Sequence, residues 1–405
     1  MSATPVTAAV LRSEEYLVDP FPVWRRMRDD HPLFYDDIAQ RWILTRYDDV
    51  VSVLGNPQVY SARTYQERFR PVFGRTLAEL DGPRHIRERT IVAPAFVGKS
   101  LEGYRPFIES SIAHLAHSLE GRDSFDLVDT VTSRLPLHVI SALLGFPDDD
   151  TDFLFEVGND VLAGLADVPE LRAAGRAAHL RLAEHLGPFI ADRREHPAAD
   201  LISKVVHAEA DGERLTHDEI CSFISFLLAA GGPTTDMAVR NFWWALLADP
   251  TLLERCRDDH DFVDRAFSES LRRDGPIVYE DRRTNVEVEW YGTVIPADTD
   301  ILVCLGSANT DDSVFARPEE FDPDRPDLLM GVERKPGYRH EGVAGHLAFG
   351  LGSHFCMGYQ LARVEVVTAT EQLLVPLGDV RLAEPQVPRI TWFERTVHAL
   401  PVVRS

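Results

Sequence analysis

The stretch His346-Leu-Ala-Phe349-Gly350-Leu-Gly352-Ser-His354-Phe-Cys356-Met-Gly358 constrains this chain more than any other. A lone cysteine, preceded by a glycine run and followed by a helical pattern (Leu361, Ala362, Val364, Val366), reads as a thiolate at a helix N-terminus. Free backbone N–H groups and the positive end of the helix dipole favour the anion there and temper its electron donation. Gly350, Gly352 and Gly358 let the loop pass close beneath a flat group, and Phe349 supplies an apolar wall. A structural cysteine after a glycine turn is the plainer reading of Gly-x-Cys alone, but the full string says more than that.

A chain of 405 residues, 44% of them hydrophobic, can bury a large core, and length alone suggests two or three domains. Yet no stretch has linker composition, a long charge block or a repeat period, so residues 1–405 are expected to form one domain. The longest apolar run, Phe223 to Ala230, is far too short to span a bilayer, and the N-terminus has no charged-then-apolar signal. No membrane anchor and a cytoplasmic location are the expectation. Cysteines 221, 256, 304 and 356 have neither C-x-x-C nor framework spacing, which fits a reducing compartment. A net charge of −23 argues against nucleic acid as a partner. A local basic patch (Arg87, Arg89, Lys99, Arg105) is still compatible with an acidic electron carrier.

Along the chain, Asp19–His31 reads as a helix, followed by short strands at Leu33–Tyr35 and Trp42–Thr45 and a helix at Tyr47–Leu54 that stops at Gly55-Asn-Pro57. Ser61–Leu80 mixes Tyr65, Phe69, Val72, Phe73 and Leu77 with Arg63, Arg68 and Arg70, and is expected to be a long functional loop. Pro83 opens a helix that places His85 and Arg89 on one face. Helical patterns continue over Tyr104–Gly121, Phe125–Gly145, Asp148–Gly164 and Glu170–Arg194, with a short polar joint at Leu165–Pro169 that suits a mobile lid. Asp200 begins a further short helix.

Thr216-His-Asp-Glu219 is a capping box opening a very apolar helix to about Ala248. Within it lies Ala229-Ala-Gly-Gly-Pro233-Thr234-Thr235-Asp236, where Pro233 removes an N–H and is expected to kink the helix and free the Ala229 carbonyl. Asp261–Asp274 is a helix carrying Glu269-Ser-Leu-Arg272, which in isolation reads as a surface pair. Strands are expected at Val286–Trp290, Thr293–Ile295 and Asp300–Cys304, then an aperiodic segment Asp311–His340, and finally a hairpin from Ile390–Phe393 and Val397–Val403.

Together, F-G-x-G-x-H-x-C-x-G (Phe349 to Gly358), Glu269-x-x-Arg272 and Phe321-Asp-Pro323-Asp-Arg325 resemble cytochrome P450, in order and spacing, across essentially the whole chain. The resemblance implies a mainly α fold with small peripheral β-sheets, and haem b (iron protoporphyrin IX) between the long central helix and the cysteine-led helix. It implies Cys356 as the axial iron ligand, with Phe349 and Gly358 beside it, and Glu269, Arg272 and Arg325 as a buried ion network holding that face. His85, Arg89, Arg282 and His354 are the implied contacts of the haem propionates. The family's A-G-x-[D/E]-T falls on Ala230 to Thr234, so Thr234 and Thr235 are the candidate catalytic hydroxyls while Pro233 stands where the acid is usual. Asp236 lies roughly 200° around the helix from Thr234 and cannot simply substitute. That leaves Thr235, a water on the freed Ala229 carbonyl, or a substrate group to carry the proton.

The implied substrate pocket draws on Phe73, Leu162, Phe226, Ala230, Ile277, Val278, Trp392 and Phe393, a lining suited to a small or medium apolar molecule. Arg63, Arg68 or Arg70 would read a carboxylate there, and Glu280 or Glu394 an amine, although solvation is the plainer role for each. The implied activity is monooxygenation by O2: hydroxylation, epoxidation or O-/N-dealkylation. With no reductase expected in the chain, NAD(P)H would act indirectly, through a ferredoxin or flavodoxin and its reductase. A peroxide-using or rearranging haem-thiolate enzyme, left open by Pro233, and a non-catalytic haem-bearing module are the alternatives.

Overall fold

A computed structural model describes residues 6–147, 150–166, 168–330, 337–391 and 393–404. Its spine is the helix His217–Ala248, and the capping box read from the sequence is formed in full: Thr216 Oγ1 accepts from the Glu219 N–H at 3.2 Å, and Glu219 Oε2 accepts from the Thr216 N–H at 2.9 Å. This central helix is buried on most of its circumference, as its apolar composition requires, and runs unbroken through Pro233. Around it pack Leu135–Leu144, Thr151–Ala163, Pro169–Glu195, His260–Asp274 and the cysteine-led helix Tyr359–Leu377. Phe242, Trp243 and Phe267 are almost wholly removed from solvent in this layer, each contributing roughly 2–3 kcal/mol by burial.

Beside the helices lies a five-stranded sheet ordered Leu33–Asp36, Arg41–Leu44, Asp300–Cys304, Tyr279–Thr284, Tyr60–Ser61. Arg41–Leu44 runs parallel to Asp300–Cys304, and the remaining pairs are antiparallel. A second core (Leu44, Tyr47, Val50, Ile301, Val303, Phe315, Leu347, Leu351) joins this sheet to the segment leading into the cysteine loop. Among the described residues no helix is long and apolar enough to cross a membrane.

Tyr47–Leu54, the strands Thr293–Ile295 and Asp300–Cys304, and most helices stand where the sequence places them. Four segments differ. Ser61–Leu80 is not an open loop but holds the eight-residue helix Gln66–Phe73, because Phe69, Val72 and Phe73 form one apolar face. Phe125–Gly145 is divided: Ser124–Asp126 is a strand, Val128–Thr132 a π-turn, and only Leu135–Leu144 is α-helical. Tyr279–Thr284, which carries Glu280 and Arg282, is an additional strand that the sequence does not predict. The final hairpin is split: Arg389–Ile390 pairs with Arg395–Thr396, whereas Pro401–Arg404 lies between Val380–Leu382 and Ser124–Asp126. In the joint after Thr151–Ala163, Leu165 and Ala166 donate to the carbonyls of Leu162 and Ala163, and Asp167 lies outside the described residues.

Candidate active site

The cysteine loop is held by its own backbone. Cys356 N–H donates to the Phe349 carbonyl at 2.8 Å, and Gly350 N–H to Leu347 at 2.9 Å. Gly350 and Gly352 have φ of 70° and 72°, a region L side chains avoid. A Cβ on Gly352 would stand 2.6 Å from the Leu54 carbonyl, so no larger residue fits. Phe349 packs edge-on against Phe355 and Tyr359, forming the apolar wall. The backbone N–H groups of Gly358 and Tyr359, at the entry to Tyr359–Leu377, favour the anion of Cys356. Burial pushes the thiol up to about 11 against those donors and the Arg89 charge. A bound metal cation would supply the charge that completes the thiolate.

Behind this loop the sequence-predicted ion network comes together. Glu269 takes Arg272 Nε and Nη2 at 2.7 Å each and Arg325 Nε at 3.0 Å, with all three side chains essentially excluded from solvent. Arg272 also donates to the carbonyls of Asn309 (2.9 Å) and Pro318 (2.8 Å). Asn309 Oδ1 in turn accepts the Leu347 N–H at 2.7 Å. The ion network therefore reaches the cysteine loop in three hydrogen bonds, Arg272 to Asn309 to Leu347 to Gly350. Asn309 was not anticipated, and nothing local in Leu305–Asn309 marks it.

The four expected propionate contacts border this loop. The rings of His85 and His354 lie 4.3 Å apart, and Arg89 Nη2 donates to the Phe355 carbonyl. Arg282 is held by Glu280 Oε2 at 2.9 Å and the Asp281 carbonyl at 2.7 Å. Asp81, also unforeseen, sits 3.0 Å from His354 Nε2 and accepts from Ser61 Oγ and Ala62 N–H. Burial opposes ionisation of Asp81, but these donors outweigh it and hold its carboxyl below the usual range. His85 is buried, and among the described residues its Nε2 has no partner. Burial, then the nearby His354 and Arg89 charges, pushes it down to about 4. Cationic side chains with an unfilled buried nitrogen, next to a donor-supported sulfur, suit a group bearing both a metal and carboxylates. Haem fits this set.

On the central helix, Thr234 Oγ1 donates to the Ala230 carbonyl at 2.7 Å, and Thr235 is buried. Asp236 points elsewhere, accepting from Thr132 Oγ1 and Arg240 Nε at 2.7 Å each. Of the expected pocket lining, Phe73 and Phe226 meet at 6.1 Å, with Phe69 5.7 Å from Phe226 and stacked on Tyr65. Val278 N–H donates to the Phe393 carbonyl at 2.7 Å, and Ile277 bridges Glu394, so these three residues form one wall. Leu162 and Ala230 are half-buried on their helices, and Trp392 lies outside the described residues.

Several suggested polar readers are already engaged. Arg63 is bound to Asp298, Asn285 and the Thr284 carbonyl, Arg70 to Glu79, and Glu280 to Arg282. In the suggested basic patch, Arg87 is paired with Glu213 and Arg89 is turned to the loop, leaving Lys99 and Arg105 exposed.

Residues 178–375 match the family model described as Cytochrome P450. The chain is 34% identical to Cytochrome P450 107B1 of Saccharopolyspora erythraea over 84% of its own length and 83% of the relative's. It is 31% identical to Cytochrome P450 monooxygenase PikC of Streptomyces venezuelae, covering 99% of this chain and 95% of that one. The crystal structure of CYP109Q5 from Chondromyces apiculatus superposes with a TM-score of 0.86 at 29% identity, over 97% of both chains.

Proposed function

The chain belongs to the cytochrome P450 family, and from that premise we propose that it is a haem-thiolate monooxygenase acting on a small or medium, mainly apolar organic molecule. Haem bound here supplies the iron that activates oxygen. Cys356 supports this reading most directly, as a sulfur favoured as an anion by the backbone N–H groups of Gly358 and Tyr359 and by the Arg89 charge, close to His85, whose buried Nε2 has no partner among the described residues. Phe349 and Gly358 border that sulfur. His85, Arg89, Arg282 and His354 take the propionates, and the network of Glu269, Arg272 and Arg325 keeps the loop in place through Asn309.

With its proton committed to Ala230, the Thr234 hydroxyl offers lone pairs to the distal side, where it can accept a hydrogen bond. Thr235 or an ordered water then serves as donor, since Pro233 brings no acid and Asp236 is tied to Arg240. Phe73, Phe226, Ala230, Leu162, Ile277, Val278 and Phe393 exclude water around an apolar substrate. Electrons come from NAD(P)H through a separate ferredoxin or flavodoxin and its reductase, in the reducing interior that four unpaired cysteines suit.

The test begins with the haem-loaded protein, reduced under carbon monoxide. The red-shifted Soret band of thiolate ligation is expected, and its absence in wild type would refute the reading. Reconstitution with a surrogate ferredoxin, its reductase and NADPH should then give oxygenated product from a ligand that shifts the iron to high spin. Turnover with peroxide alone, and none with electron donors, would favour the peroxide-using alternative that Pro233 suggests.

A further inference from the structure

The strand Tyr279–Thr284 brings a carboxylate onto the cysteine loop. Successive side chains of a strand alternate in direction, so Glu280 and Arg282 share one face. Glu280 Oε2 accepts from Arg282 Nη2 at 2.9 Å, while Oε1 rests on the loop, 2.8 Å from where a Cβ on Gly350 would stand. Gly350 has a φ of 70°, so the loop meets this carboxylate with bare backbone. Burial is the main force against the Cys356 anion, and the Glu280 charge adds to it, whereas the Gly358 and Tyr359 N–H groups and Arg89 favour the anion.

The charges at the four expected propionate contacts set up a competition. Arg282 has Glu280 as its acid partner, and His354 has Asp81. Burial holds His85 down to about 4, so it is uncharged at neutral pH. Of the two arginines, Arg89 has no carboxylate partner among the described residues and donates to the Phe355 carbonyl. Two propionates would therefore bring two negative charges to one guanidinium without an acid and one that is already neutralised. Glu280 and a propionate then contend for Arg282 as like charges around one cation. The Glu280 side chain is 21% exposed, so water and salt screen this repulsion only in part.

We propose that Glu280 is a positioning residue that loosens the hold on haem and lowers the reduction potential of its iron, by competing with a propionate for Arg282 and adding negative charge beside the cysteine loop. This assignment rests on the haem-thiolate reading above and gives a part in it to a residue outside the sequence motifs. An anion beside the sulfur ligand favours the more positive, oxidised metal, so Glu280 would bias the enzyme toward a ferric resting state.

Haem-loaded wild type, Glu280→Gln, Glu280→Ala and Glu280→Asp are compared in two assays: haem transfer to excess apomyoglobin, and spectroelectrochemical titration of the ferric–ferrous couple. Glutamine keeps the size of the side chain and one acceptor oxygen for Arg282 but not the charge. Transfer from Glu280→Gln should therefore slow about tenfold, and its potential should rise. Glu280→Ala should move both in the same direction, and Glu280→Asp should leave the potential near that of wild type. Transfer from Glu280→Gln as fast as from wild type, or a potential that does not rise, overturns the assignment. So does faster haem loss from Glu280→Ala with an unmoved potential, the result expected of a side chain that merely fills space. A wild-type protein lacking the thiolate carbon-monoxide band fails the haem-thiolate reading itself. A normal band with no response to Glu280→Gln fails only the role of Glu280.

Discussion

Replacing Glu269 with glutamine tests whether the buried ion network holds the cysteine loop or merely fills space. The carboxylate accepts two bonds from Arg272 at 2.7 Å, one from Arg325 near 3.0 Å, and the Asp322 N–H at 3.0 Å. An amide keeps one acceptor oxygen and turns an N–H2 group toward a guanidinium. Arg272 is then a buried cation without a carboxylate, while Arg325 keeps Asp327 at 2.9 Å. Breaking a buried pair in this way costs roughly 3–5 kcal/mol. Carbonyls of Asn309, Pro318 and Glu320 still accept from Arg272, which places the cost near the lower end, about 3 kcal/mol. Against a total stability of about 5–15 kcal/mol, that is a fifth or more. With a urea slope of about 3 kcal/mol per molar, the unfolding midpoint should fall by about 1 M. The thiolate band should fall with it, because Arg272 loses the carboxylate that aims it at Asn309. A Glu269→Gln protein with an unshifted midpoint and a full thiolate band would refute the reasoning.

Three further outcomes follow from other parts of the site. Gly352→Ala combines a φ of 72° with a Cβ 2.6 Å from a backbone carbonyl, so it should lose haem and more than the ~1–2 kcal/mol of left-handed strain alone. Gly212→Ala, at φ 80° with open space, should show only that strain; equal melting losses in the two variants would discount the clash. Pro233→Glu should raise the ratio of product to released peroxide, whereas Pro233→Ala, which restores the N–H without an acid, should not. An unchanged ratio in Pro233→Glu would remove position 233 from the proton relay. His179 is bonded to Ser225 at 2.7 Å, and burial, then the Arg176 charge, pushes its pKa from 6.5 to about 4. The unfolded chain therefore takes up the proton first, so stability should fall from about pH 6.5 to about pH 4. Urea midpoints measured across that window should be flatter for His179→Gln, and an identical slope would contradict it.

The elements with a local cause were legible in the sequence. Cys356 with its glycines reads directly, and so does the central helix from Thr216 and Glu219, because a capping box is a local pattern with a local cause. The helix Gln66–Phe73 was obscured because arginines interleave its apolar face, and their partners Glu79 and Asp281 lie outside it. Strand Tyr279–Thr284 shows no apolar alternation over Glu280, Asp281, Arg282 and Arg283. These charges are matched by Arg41, Glu67 and Asp300 from distant segments, so its place in the sheet is a tertiary fact. Asn309 and Asp81 escaped for the same reason: the bonds that tie them to the cysteine loop, to Leu347 and to His354, span 38 and 273 residues.

The parallel pairing of Arg41–Leu44 with Asp300–Cys304 bears on how the chain is made. Translation at about 5–20 residues per second separates the two strands by roughly 13 to 50 s. Throughout that interval Trp42, Ile43 and Leu44 offer an uncovered sheet edge next to apolar surface, open to another nascent chain. Arg325 and Cys356 emerge later still, so the cofactor cannot be retained until nearly the whole polypeptide has left the ribosome. Slowing synthesis would lengthen the exposed period, whereas cooler expression, a trigger-type chaperone or ample haem late in translation should favour soluble, fully loaded enzyme over aggregates.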